Sequence, residues 1–481
     1  MNSIEFIKKA QNQEIDVIEN IKNTLKVCKE INSEYNYFIN LNEEYTLKEA
    51  EKLVNETKKL TKEEIKNKKL FGLPVSIKDC ICVKDLESRS GSKVLKNYKP
   101  FFDATIVDKI KEQGGIILGK TSQDAFGFGS FNVNVGIDEK IPLNPYDKER
   151  VTGGSSGGAA GITRKLFEKK INHIAIAEST GGSIACPAAY SGVYGLTPTY
   201  GLVSRYGLMD YGNSLDKIGI MANDIEEIAL MLEVISGFDE KDSTSKNIEI
   251  PKYSEKTDLK KLNFKVAVLK EFVENINEDV KKNLFETLEK AKKNYKLIYE
   301  FVSLPLTFKY GIQTYYLIAI SEASTNLAKF SGIRYGYEKE LKGNFNEYFS
   351  EVRTEAFSKE EKRRIILGTF ARMSGFRDAY YLKALKVRTK IIQEYKKLFE
   401  NYDLLISPTM PNVAPKFSEI KTLTPLENYM MDIMTVGPNL AGLPHLSLPN
   451  GFSKNMPTAL MIIANHFEEK KIIDFARLLN Y

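Results

Sequence analysis

Two serines set in glycine runs, and one lysine upstream of them, are the residues of this chain best suited to chemistry. The serines lie in Val151-Thr152-Gly153-Gly154-Ser155-Ser156-Gly157-Gly158 and in Glu178-Ser179-Thr180-Gly181-Gly182-Ser183-Ile184; the lysine lies in Ser76-Ile77-Lys78-Asp79. Glycine lets the backbone approach a reacting atom closely. A serine ending such a run can attack a carbonyl, with backbone N–H groups beside it for the oxyanion. Its hydroxyl needs a base, and a lysine can serve only when neutral, a form that burial favours. Lys78 follows the apolar run Leu73-Pro74-Val75-Ser76-Ile77, which makes partial burial plausible. Each feature alone also has a plainer reading: tight turns for the glycines, an exposed strand-end cation for the lysine. A phosphate loop has little support in Gly153 to Gly158, which lacks the lysine of GxxxxGK[ST] and has no GxGxxG.

Other residue types narrow the chemistry. The three histidines, His173, His445 and His466, form no HExxH. If Ser183 is a nucleophile, its base is something other than histidine. Cys28, Cys80, Cys82 and Cys186 make no disulfide framework or paired CxxC pattern, and no metal site is expected. On a strand Cys80 and Cys82 would share a face, but two thiols fall short of a metal site. Reduced thiols and the absence of a charged, apolar leader point to a cytoplasmic protein. No apolar run approaches the ~18 residues of a spanning helix, so no membrane role is expected. The net charge of +6, from 69 basic and 63 acidic residues in 481, is spread along the chain. It permits a role near nucleic acid without arguing for one.

The elements around these residues have α/β grammar. Ile18, Ile21, Leu25 and Cys28 give one helical stripe. Lys48 to Lys69 reads as a solvated helix. Val75 to Ile77, Gly115 to Leu118 and Ile174 to Ala177 read as buried strands, with helices at Asp108 to Gln113 and Ser156 to Leu166. After a polar connection from Lys241 to Lys260, Lys265 to Leu269 reads as a strand and Asp279 to Tyr295 as an amphipathic helix. Tyr315 to Phe330 and Glu360 to Phe399 are helical. Leu404 to Ile406, Leu446 to Leu448 and Ala459 to Ala464 are late strands. Strands in both halves favour one interwoven domain, with N-terminal helices (1–69), a region holding the glycine motifs (70–240), and a helical insertion plus closing strands (241–481).

The combination resembles the amidase signature family. The family pattern is a lysine in G-x-P-x-x-x-K-D, then GGSSGG, then TGGS; here these are Gly72 to Asp79, Gly153 to Gly158 and Thr180 to Ser183, in the same order. Three weak motifs in one order over about a hundred residues make a strong signal. The resemblance implies a single α/β domain whose central mixed sheet has helices on both faces. It implies a Ser-cisSer-Lys triad: Ser183 the nucleophile, Ser155 the bridge after a cis peptide, Lys78 the base. Backbone N–H groups of Thr180, Gly181 and Gly182 would form the oxyanion hole. Two positions depart from the pattern: Ser179 stands where the family has Asp, and Ala185 where it has Arg. The 28 positions from Ser155 to Ser183 also exceed the usual interval, with Arg164 to Asn172 read as an extra surface turn.

The likeness spans nearly the whole chain when the comparison is to the branch of that family found in tRNA-dependent amidotransferases. Gly195-Leu196-Thr197-Pro198, Asn213-Ser214-Leu215-Asp216, Tyr315-Tyr316, Gly332-Ile333-Arg334-Tyr335-Gly336, Lys362-Arg363-Arg364 and Asn439-Leu440-Ala441-Gly442 carry it. It implies a glutaminase that supplies ammonia to amidate Glu-tRNA(Gln), often also Asp-tRNA(Asn), in a heterotrimer with B and C subunits. ATP and Mg2+ would act at the B subunit, with no cofactor in this chain. For glutamine, the resemblance places the carboxylate partner at Arg364 and the ammonium partner at Asp432, with Tyr315 nearby. A surface arginine fits Arg363 as well, and Tyr315 equally fits a core aromatic. Two readings compete with this one: a stand-alone amidase for another small amide, and a structural subunit without catalysis.

Overall fold

The computed structural model describes residues 1–479. Its centre is one mixed sheet of eleven strands: β1 Phe38–Leu41, β2 Pro74–Lys78, β3 Ile116–Thr121, β4 Ile174–Ser179, β5 Tyr194–Thr197, β6 Lys217–Ala222, β7 Lys265–Leu269, β8 Ile298–Val302, β9 Leu404–Pro408, β10 His445–Ser453 and β11 Met456–Ala464. The order across the sheet is β1-β3-β2-β4-β6-β5-β10-β11-β9-β7-β8. The N-terminal strands meet the C-terminal ones where β5 pairs antiparallel with β10.

Both faces of the sheet are covered. Alternate residues of a strand point to opposite faces, and they fall into two separate cores here. Val266, Val268, Leu404, Ile406, Leu460 and Ile462 pack with Leu284 and Leu288 of helix Glu278–Tyr295 and with Ile472 and Phe475 of helix Glu469–Leu479. Ala267, Leu269, Leu405, Met461 and Ile463 pack with Ile312, Ile318 and Ala319 of helix Pro305–Asn326 and with Ile391 of helix Lys383–Phe399. This is the α/β architecture that the short apolar runs imply.

Three neighbouring strands place the site. β3, β2 and β4 run parallel, so their carboxyl ends lie along one edge, where open α/β sheets hold ligands. Lys78 is the last residue of β2, Thr180 to Ser183 follow β4, and the Ser122–Asp124 segment follows β3. β6 returns antiparallel beside β4 and brings Asp216, just before it, to the same edge.

The structure corrects several readings. Lys48 to Lys69 is two helices, Glu43–Thr57 and Lys62–Lys66, and buries Ala50, Leu53 and Ile65. A capping box between Thr61 and Glu64 starts the second. Glu360 to Phe399 is likewise interrupted: Lys359–Arg372 ends before a π turn at Asp378–Leu382, and Lys383–Phe399 follows. Arg164 to Asn172 is only partly a turn, since helix Gly157–Glu168 runs through its first half. Strand β3 extends beyond Leu118 to Thr121, and this matters for a motif. Gly114 to Thr121 does spell GxxxxGK[ST], but its last six residues are that strand. Lys120 is buried, bonded to Ser88 Oγ at 2.8 Å and to the carbonyl of Ile81. A strand with a committed lysine offers no cradle of free N–H groups to a phosphate.

The helix after the first serine motif sits very close to its neighbours. A Cβ on Gly158 would lie 2.5 Å from Tyr37 O and 2.6 Å from Ser122 O, both backbone atoms. Gly158→Ala is therefore expected to destabilise the fold by about 1–3 kcal/mol, despite the ~1 kcal/mol helix preference of alanine over glycine. An unchanged denaturant midpoint would show that this helix can shift.

Candidate active site

Lys78 is wholly buried and makes three polar contacts. Its Nζ lies 2.7 Å from Ser155 Oγ, 2.9 Å from the main-chain oxygen of Glu178 and 2.9 Å from Glu178 Oε2. The peptide between Gly154 and Ser155 is cis. The 124–134 loop brackets this serine motif: Asp124 N donates to Ser155 O, and the Gly154 N–H donates to Ser130 O.

Ser183 stands 5% exposed at the end of the loop after β4. Among the described residues its hydroxyl has no hydrogen-bond partner, and the backbone N–H groups of Gly181, Gly182 and Ser183 donate to none. The loop is held from below by side chains. Ser179 Oγ donates to Gly181 O at 2.9 Å, and Asn439 Nδ2 donates to Ser179 O at 3.3 Å. Ser179, where the family pattern has Asp, thus ties the loop through its own hydroxyl. Ala185 is buried in the first turn of helix Ala185–Ser191. None of the histidines serves this site: His173 bonds Ser76 and Thr163, and burial pushes its pKa down to about 3.

Of the other three predicted residues, Tyr315 and Asp432 lie beside the loop, and Arg364 lies behind Tyr316. The Tyr315 ring lies against Gly181, where a Cβ would come within 2.8 Å of its phenol. Asp432 is 3.4 Å from the corresponding position on Gly182 and is 6% exposed. It accepts hydrogen bonds from Tyr316 Oη at 2.6 Å and Ser130 Oγ at 2.9 Å. Burial pushes its carboxyl up, opposed by those two bonds and by the charge of Arg364. Arg364 is buried and boxed by the rings of Phe128, Tyr211, Tyr316 and Tyr429, at 5.0–5.6 Å from its guanidinium. Its Nε donates to Glu360 at 2.9 Å and Nη1 bonds Tyr211 Oη; Nη2 has no acceptor among the described residues. Arg363 instead lines the outer wall of a pocket of about 520 Å³ with Ser130, Arg364 and Tyr429. Gly368 lets this helix lie directly on the carbonyl of Ile320, which brings Arg364 to Tyr316.

The structure therefore brings Lys78 to Ser155, and places Tyr315 and Asp432 at the loop that ends in Ser183. Sequence reasoning missed Glu178, Tyr316, Ser130 and the ring box. Glu178 did leave a signal, as the one acid in the apolar strand Ile174–Ser179. Glu360 could have been found as the residue one helical turn before Arg364.

Behind the loop, Lys217 pairs in register with Ser179 and donates to Leu443 O at 2.9 Å. Burial pushes its pKa down to about 7, with Glu469 opposing. The unfolded chain therefore binds a proton that the folded chain lacks between pH 7 and about 10.4. The contribution of Lys217 to stability should rise with pH in this window, by about 2 kcal/mol from pH 7 to 9. In Lys217→Met that rise should vanish, which denaturant unfolding at the two pH values would check.

Comparisons with known proteins give the family of the chain. The family model described as Amidase matches residues 19–473. The A subunit of the glutamyl-tRNA(Gln) amidotransferase of Geobacillus sp. (strain WCH70) is 43% identical over 465 residues, covering 96% of this chain and 93% of that protein. Its counterpart from Archaeoglobus fulgidus is 43% identical over 445 residues, covering 92% of each. The crystal structure of the Thermotoga maritima counterpart superposes with a TM-score of 0.77 at 34% identity, over 98% of this chain and 93% of that one. Peptide amidase from Stenotrophomonas maltophilia, at 22% identity and a TM-score of 0.80 over 100% and 96% of the chains, shares the fold. The chain belongs to the amidase family and, within it, to the family of glutamyl-tRNA(Gln) amidotransferase A subunits.

Proposed function

We propose that this chain is the glutaminase subunit of a tRNA-dependent amidotransferase. It hydrolyses glutamine through a γ-glutamyl ester on Ser183 and releases ammonia for the conversion of Glu-tRNA(Gln) to Gln-tRNA(Gln), with Asp-tRNA(Asn) as a second acceptor in the same chemistry. The observation that carries this reading is the buried Lys78–Ser155 hydrogen bond at the foot of a loop whose N–H groups are free. The relatives' name supports the tRNA-linked role. B and C subunits would complete the assembly in the cytoplasm, with ATP and Mg2+ used by the B subunit.

In this mechanism Ser183 Oγ attacks the γ-carboxamide carbon. Its proton passes to Ser155, whose own proton passes to neutral Lys78. N–H groups of the Thr180–Ser183 loop stabilise the oxyanion as it develops, an effect worth about 3–4 kcal/mol per donor. The proton returns through Ser155 to the leaving nitrogen, and ammonia departs. Water then attacks the ester by the same relay, yielding glutamate. The Ser183–Ser155 leg closes with substrate bound, since such hydrogen bonds tighten in the complex. Arg364 would take the α-carboxylate, with Nη2 open to it and the ring box fixing its plane. Asp432 would take the α-ammonium, and Tyr315 would wall the pocket beside Gly181.

In the assembled complex, Ser183→Ala should abolish glutamine-dependent transamidation and spare the ammonia-dependent reaction. Equal loss of both would refute the assignment. Arg364→Ala should raise the KM for glutamine at least tenfold, about 1.4 kcal/mol or more. Normal glutamine hydrolysis in both Arg364→Ala and Asp432→Ala would point instead to a different small amide.

A further inference from the structure

The proposed triad leaves one acid of the site unused. Glu178 supplies two of the three polar contacts of Lys78 Nζ, through its main-chain oxygen and through Oε2, each at 2.9 Å. A neutral amine has two N–H bonds and one lone pair. Both Glu178 oxygens accept, so the two N–H bonds are spent on them. The lone pair is then left facing the third neighbour, Ser155 Oγ, at 2.7 Å. From this geometry we infer that Glu178 is a positioning residue for the base: it aims the Lys78 lone pair at the bridging serine.

The carboxylate is itself held in place. Thr180 Oγ1 lies 2.8 Å from Glu178 Oε1 and 2.8 Å from Asp216 Oδ1. One hydroxyl proton cannot serve two carboxylates, so one of the two acids carries a proton of its own. Burial, and then the charge of Glu178, push the Asp216 carboxyl well up. Its oxygens also accept from the N–H groups of Tyr211 and Gly212 at 2.9–3.0 Å, so Thr180 links Glu178 to a fixed acid. Because Thr180 begins the loop ending in Ser183, this chain of bonds ties the base to the oxyanion donors. The family pattern has its acid one position later, where this chain has Ser179. Neighbours on a strand face opposite ways, so Glu178 does not stand in for that acid.

The inference rests on the proposed triad, and the test separates the two. Glutamine hydrolysis by the assembled complex would be measured for Glu178→Ala, Glu178→Gln, Lys78→Ala and Ser183→Ala. Glu178→Ala should lower kcat about 10²-fold, the order of loss from a misplaced catalytic group, with KM little changed. Glu178→Gln keeps an acceptor at the same place and should recover most of that loss. A parental kcat in Glu178→Ala would overturn the inference, as would equal losses in both variants. Should Glu178→Ala fail to fold, Glu178→Met, which keeps the bulk and removes the acceptor, takes its place. If Lys78→Ala or Ser183→Ala still hydrolyses glutamine, the triad itself falls; if both are dead while the Glu178 variants are parental, only the role of Glu178 falls.

Discussion

A lysine amine taken wholly out of water is the constraint around which this site is built. A buried amine without partners is costly, so Lys78 must be met by polar groups on every side that the chain can supply. It is met by Ser155 and by two oxygens of Glu178. Each of those partners then needs its own support. Asp124 N and Ser130 O hold the serine motif, and Thr180 and Asp216 hold Glu178. The requirement propagates outward until it reaches backbone that is fixed by the sheet.

The same logic shapes the neighbouring pocket. A buried guanidinium is bearable at Arg364 because four ring faces surround it and Glu360 pairs with one edge. Asp432 is supported by two hydroxyls rather than by a direct ion pair. The two opposite charges are thus kept apart, each with one side uncommitted.

Parallel strands explain why the parts converge. Lys78, the Ser122–Asp124 segment and the Thr180–Ser183 loop are dispersed in sequence, yet each follows the carboxyl end of one of three adjacent parallel strands. The helix that carries Tyr315 covers the second face of the same sheet, over its C-terminal strands, and the helix that carries Arg364 packs on that helix. No local feature of either segment could reveal that meeting.

What the amino-acid order determined alone is local: the apolar runs that become β2, β3 and β4, the glycine turns that bring backbone N–H groups forward, and the order of lysine and serines that marks the family. Those signals depend on near neighbours, so they survive without a fold. The boundaries of the charged helices did not, because a few buried residues such as Ala50 and Leu53 decide them. The partner of Lys78 was decided only by tertiary structure. Glu178 lies a hundred positions away and reads in isolation as a misplaced surface acid; pairing β2 with β4 brings its carboxylate to the Lys78 amine. The GxxxxGK[ST] spelling at Gly114 to Thr121 failed for the complementary reason. Its residues have the right types and spacing, but the sheet claims their backbone and buries their lysine.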